Sequence, residues 1–101
     1  MSGPDPGPII VAVGMVQEGV DPARLRPSRR DLSAARLAKQ RQLLQQKVER
    51  WTPILVCSGG IICDGHHAVR AAFDAGQTVI VRVTPLPAAP SGLTIDQLPV
   101  R

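Results

Sequence analysis

Two histidines, one aspartate and one arginine crowd into the run Asp64-Gly65-His66-His67-Ala68-Val69-Arg70. Ile61-Ile62-Cys63 ahead of them reads as a strand and residues 66–75 as a helix, so Asp64-Gly65 is a tight turn that delivers a strand into a helix start. The first amides of a helix have no intrahelical acceptor and sit at the positive end of its dipole, which makes a cradle for phosphate. Gly65 would let an anion approach the backbone closely. His66 and Arg70 are four residues apart and His67 and Arg70 three, so all three can face the mouth of one site. Imidazole can donate to a phosphate or move a proton near neutral pH, and a guanidinium can fork onto phosphate oxygens. The phosphate-binding set read here is Gly65, His66, His67 and Arg70. For catalysis, His67 is the candidate general acid or base, Arg70 the charge stabiliser, and Asp64 either a magnesium ligand or a helix cap. The same residues also fit a structural role: Asp64 caps the helix, one histidine lies on the surface, and Arg70 pairs with Asp74 at i+4.

The elements that must hold this run follow from pattern. Residues 8–16, apolar with one glycine, read as a buried strand. Residues 17–30 contain Gly19, Pro22 and Pro27 and read as a loop whose Val20 and Leu25 dip into the core. Residues 31–50 lack Gly and Pro and predict the one long helix, capped by Ser28 or Asp31. Leu37, Leu44, Val48 and Trp51, widened by Leu43, make its apolar stripe, which should pack on the sheet. Residues 53–57 and 61–63 form a hairpin around Ser58-Gly59-Gly60, with a two- or a three-residue loop. Gly76 closes the second helix, whose core face is Val69, Ala72 and Phe73. Residues 78–84, Thr-Val-Ile-Val-Arg-Val-Thr, are the strongest strand signal. The order β-α-β-β-α-β predicts a small α+β domain with two main helices on a mixed sheet. Its expected bounds are 9–84, between a disordered tail at 1–8 and a Pro-rich tail at 85–101, in which Leu93 to Leu98 could add a short turn or dock on the surface.

One hundred and one residues with 44% hydrophobic content suit one small globular domain. No apolar run approaches the ~20 residues of a membrane helix, and no basic residue precedes the first apolar run, so neither a membrane partner nor a secretory signal is expected. Cys57 and Cys63 do not have the spacing of a zinc knuckle and read as small buried hydrophobes of a cytoplasmic protein. With one Trp, one Phe and no Tyr, platforms for stacking bases are excluded. The net charge is +4, and it is uneven. Nine basic and two acidic residues lie between Pro22 and Arg50, a positive lobe suited to a polyanion. Arg24, Arg26, Arg29 and Arg30 are the expected nucleic-acid contacts; a solvated basic helix face and loop would give the same count.

From Val20 to Thr84 the sequence resembles the ParB/sulfiredoxin superfamily. The resemblance is carried by Val20-Asp21-Pro22-Ala23-Arg24-Leu25-Arg26-Pro27, by Trp51-Thr52-Pro53-Ile54-Leu55-Val56, by Asp64-Gly65-His66-His67, by Arg70-Ala71-Ala72, and by the closing Val-Ile-Val-Arg-Val strand. It implies the α+β fold already read from pattern. The superfamily includes CTP-binding clamps, nucleases, a sulfinic-acid reductase and a free-serine kinase. Gly65 and Arg70-Ala71-Ala72 match its "GERRxRAA" turn. His66 replaces the glutamate that helps hold magnesium, and His67 and Ala68 replace the consecutive arginines that hold a triphosphate. The reductase has its catalytic cysteine where His66 stands, so peroxide-linked repair is not expected. The Asp-Gly-His-His run looks most like standalone ParB-like nuclease domains, with Ala68 in place of an arginine. No helix-turn-helix follows the last strand, so any DNA contact is expected to be backbone-directed.

The resulting expectation is a ParB-like, nucleotide- or phosphate-binding domain acting on nucleic acid or nucleotides, as a phosphodiesterase or nuclease using Mg²⁺ or Mn²⁺. The alternative is a non-catalytic binding or regulatory module that keeps the phosphate cradle. A small-molecule kinase ranks last, for want of a second carboxylate to serve as base. A homodimer or a protein partner stays open.

Overall fold

The computed structural model describes residues 13–46 and 53–101. The chain runs β1 (Val16–Val20), a 3-10 turn (Pro22–Arg24), α1 (Ala34–Gln45), β2 (Ile54–Val56), β3 (Ile62–Asp64), α2 (His66–Ala75), β4 (Val79–Val83) and a second 3-10 turn (Ile95–Gln97). This is the small α+β domain with two main helices that the pattern predicts. Its four strands lie in the order β1-β4-β2-β3. β4 pairs antiparallel with β1 and parallel with β2, and β2 pairs antiparallel with β3. The hairpin loop has three residues: the Cys57 amide donates to the Ile61 carbonyl at 2.9 Å, and the Gly60 amide to that of Cys57 at 2.9 Å. Both thiols are free and half-buried, and burial, then the nearby Cys57, pushes the Cys63 thiol up.

Alternation along β4 sends Val79, Val81 and Val83 to one face, where Ile54, Val56 and Ile62 join them. α2 covers that face with Val69 and Ala72, and Phe73 packs at its margin. Val20 and Leu25 reach the same core.

Several expectations move. The first strand is Val16–Val20, one segment later than the 8–16 run; Val13, Met15 and Val16 are exposed. Gln17 and Val20 pair with β4, across an irregularity at Glu18 and Gly19, instead of looping. α1 starts at Ala34 and is capped by Ser33, whose Oγ accepts from the Arg36 amide at 3.4 Å. Ser28 and Asp31 do not cap it. α1 packs chiefly against α2 and not on the sheet. Of its stripe, Leu37 is fully buried and Leu43 and Leu44 half-buried. Val48, Trp51, the expected helix end, the 1–8 tail and most of the 8–16 run lie outside the described residues.

The largest correction concerns residues 85–101. The short turn is present at Ile95–Gln97, but the segment is no tail outside the domain: Ile95 and Leu98 are 0% and 2% exposed, inside the core. The segment is laced to the loop before α1. Leu32 donates to the Pro99 carbonyl (2.9 Å), Arg101 to that of Leu32 (2.8 Å), Ala34 to that of Arg101 (2.8 Å), and Ser91 to that of Pro27 (2.8 Å). Two aliphatic side chains and this parallel ladder outweigh the segment's four prolines, because Pro85, Pro87, Pro90 and Pro99 lie outside the buried turn.

Candidate functional site

α2 begins without a side-chain cap. Gly65 stands at its N-cap with φ of 105°, and the first intrahelical bond runs from the Val69 amide to the Gly65 carbonyl at 3.0 Å. The amides of His66, His67 and Ala68 therefore have no acceptor within the helix. Glycine is required at 65 for two reasons on the protein side. The left-handed φ disfavours any side chain, and a Cβ there would lie 2.7 Å from Cδ1 and 3.4 Å from Cγ2 of the fully buried Ile54, which would have to shift. Close approach of an anion is not what makes it necessary.

A cleft of about 350 Å³ opens over this helix start. Arg29 reaches it from the loop before α1, Arg36 and Lys39 from α1, and Asp64 from the end of β3. Asp64 is exposed and caps nothing at α2. Three cations face one carboxylate at the positive end of a helix, which suits an anion. Arg36, Lys39 and Gln40 escaped the sequence reading as site residues. Their spacing of three and four places them on one face of α1, a signal that was there to be used.

The two histidines line the cleft but are not open to it as expected. Their relative exposures are 4% and 8%. The Ser28 amide donates to His66 Nε2 at 3.1 Å, and the Ser33 amide to His67 Nε2 at 2.9 Å. Burial, then Arg29 and His67, pushes His66 down to about 4, with Asp64 opposing. Burial, then Arg29 and Arg36, also lowers His67. Both are neutral at physiological pH. An Nε2 lone pair already holding an amide takes no proton from a substrate, so His67 is poorly placed as a general base through that atom.

Arg70 is not in the cleft. It faces the other way, donating through NH1 to the carbonyls of Ile95 (3.1 Å) and Leu98 (3.0 Å) and through Nε to Asp74 at 3.2 Å. Asp74 is shared with Arg41 at 2.8 Å. The i+4 pair with Asp74 is thus present, and Arg70 fastens the C-terminal segment. Of the four arginines expected to contact nucleic acid, Arg29 lines the cleft, and Arg24, Arg26 and Arg30 are exposed outside it.

Magnesium or manganese would need oxygen ligands. No group of three His, Cys, Asp or Glu residues among those described could hold a metal ion, and Asp64 is the one carboxylate lining the cleft. Among the described residues, Asp64 would therefore hold such an ion only together with a ligand's phosphates and water. A larger groove of about 690 Å³ lies between α1, α2 and the β1–β4 edge, lined by Leu43, Leu44, Ala72, Val79 and Ile80 among others. It has no comparable cluster of like charges.

No family model matches the chain, and no curated protein matches it. Among solved structures, the crystal structure of protein Atu1540 from Agrobacterium tumefaciens is similar, with a TM-score of 0.55 at 16% identity. The likeness covers 69% of this chain and 38% of that one. At that identity it speaks for the fold alone. No helix among the described residues is long and apolar enough to cross a membrane.

Proposed function

We propose that the protein is a ParB/sulfiredoxin-like domain that binds a phosphate group of a nucleotide or nucleic acid at the start of α2, as a binding or regulatory module. One observation carries this reading: Arg29, Arg36 and Lys39, from two separate elements, line one cleft with the uncapped amides of α2. Binding is favoured over hydrolysis because the Nε2 atoms of both histidines accept backbone amides. The metal-dependent phosphodiesterase reading ranks second: it retains Asp64 alone, exposed at the cleft, which could hold a magnesium ion only together with a ligand's phosphates. The kinase reading lacks its base among the cleft residues. A cytoplasmic setting suits two free, half-buried thiols.

The test is titration of the full chain with inorganic pyrophosphate and with a short oligonucleotide at low salt, followed by calorimetry. Arg36→Gln and Lys39→Gln should each weaken binding about tenfold, the usual scale for a charge-assisted hydrogen bond. The absence of saturable binding for both probes would sink the reading. Release of cleaved product from plasmid DNA with Mg²⁺ or Mn²⁺, abolished by Asp64→Asn, would restore the nuclease.

A further inference from the structure

The loop of residues 28–33 carries Arg29 and ends at Ser33, the cap of α1, which in turn carries Arg36 and Lys39. This loop places Arg29, and with the packing of α1 on α2 it sets where Arg36 and Lys39 stand over α2. Its backbone joins no strand. At its far end it is laced to residues 99–101 through Leu32. Nearer the cleft its two amide tethers both end on α2: Ser28 on His66 and Ser33 on His67.

A backbone amide can only donate, so each Nε2 presents a lone pair, and a neutral ring must then carry its proton on Nδ1. The Ser28 hydroxyl also lies 3.3 Å from His66 Nε2, but its proton goes to the Ile62 carbonyl at 2.6 Å, so it is the Ser28 amide that donates to the ring. Among the described residues no buried side-chain nitrogen or oxygen lacks a partner. Both residues line the cleft. Arg29, Arg36, Lys39 and Asp64 are the charged groups around them.

We infer that His66 and His67 are positioning residues of the anion site: their Nε2 atoms hold residues 28–33 so that Arg29, Arg36 and Lys39 converge on the start of α2. The inference rests on the binding reading above for what the site takes. It adds that consecutive histidines serve there as acceptors for a loop, leaving only Nδ1–H donors toward the ligand. An acceptor-only anion such as a deprotonated phosphate is the class that fits.

Imidazole ¹⁵N spectra of the labelled full chain at pH 7 test the tautomers directly. Both rings should carry the proton on Nδ1; an Nε2–H signal for either ring overturns its assignment. Affinity for inorganic pyrophosphate is then compared among wild type, His66→Ala, His67→Ala, His66→Gln and His67→Gln. The glutamine Oε1 falls near the position of Nε2 and can accept the same amide. Each alanine variant should lose about tenfold in affinity and each glutamine variant should recover to within about threefold of wild type. Glutamine as weak as alanine in a folded protein, or alanine without effect, overturns the inference. If the alanine variants do not fold, the glutamine pair and the tautomers still decide. If wild type binds neither pyrophosphate nor the oligonucleotide, the binding reading fails by itself. Hydrogen exchange then judges the positioning: the Ser28 and Ser33 amides should exchange at wild-type rates in the glutamine variants and at least about tenfold faster in the alanine ones. Equal exchange in both sets overturns it.

Discussion

His67 Nε2 accepts the amide of Ser33 at 2.9 Å, and Ser33 Oγ accepts the amide of Arg36. The second residue of α2 thus holds the cap of α1, and the two helices are registered to one another through a single serine. Neutral imidazole is a condition of that contact, since an imidazolium has no lone pair to offer.

Acid should therefore loosen the domain before its carboxylates are neutralised. His66 is pushed from 6.5 down to about 4 in the folded protein, so the unfolded chain binds a proton the folded one refuses. Its contribution to stability is complete above pH 6.5 and is lost as pH falls from 6.5 toward 4. The loss is on the order of 2–3 kcal/mol. Urea midpoints at pH 7.5 and about pH 4.5 should diverge in wild type and much less in His66→Gln. Parallel behaviour of the two proteins would refute the assignment.

Gly65→Ala should destabilise by roughly 2–4 kcal/mol, combining a left-handed φ with overpacking against Ile54. Ile54→Val removes the atom nearest the new Cβ, Cδ1. The double variant should be more stable than the sum of the two single changes implies, a coupling readable by thermal denaturation. Strict additivity would place the whole cost in the backbone.

Arg70→Ala should cost roughly 2–3 kcal/mol of stability, because two carbonyls of the C-terminal segment and Asp74 lose a charged donor. It should leave pyrophosphate affinity unchanged in the folded protein, unlike Arg36→Gln. A drop in affinity at full stability would put Arg70 back in the site.

Leu98→Ala and Ile95→Ala should each destabilise by roughly 2–5 kcal/mol, the range for fully buried aliphatic residues. If residues 91–101 were a surface appendage, both substitutions would fall within about 0.5 kcal/mol of neutral by urea titration.

What was legible in the sequence was what is local. α2 lies at residues 66–75 as its pattern predicts, because Gly65 and Gly76 punctuate it and its apolar positions repeat at helical spacing. The Arg70–Asp74 pair could be read at i+4 for the same reason. The hairpin left its loop length open, and only the Cys57–Ile61 bond settles it. The roles of Arg70 toward Ile95 and of His67 toward Ser33 depend on residues that meet across the fold, and no spacing encodes them. β1 extends past the 8–16 run, the stronger local strand signal, because Gln17 and Val20 owe their strand state to pairing with β4. The cleft itself was half legible: its helix start and its basic lobe were read separately, and the meeting of Arg36 and Lys39 with that start was not.

The parallel bridge between Leu32 and Val100 ties the loop before α1 to the C-terminal segment. The backbone groups of residues 26–34 that hydrogen-bond outside α1 run forward to partners made later in synthesis: to Gly60 and Ile62, then to His66 and His67, then to Ser91, and last to residues 99–101. Such high contact order makes that segment slow to order. On a ribosome the strands and α2 can form as they emerge, but the loop before α1 waits for residues 99–101 to clear the exit tunnel. The cluster of positive charge therefore reaches working order only after those residues are made, and a chain stalled short of residue 99 would carry the same cations without their arrangement.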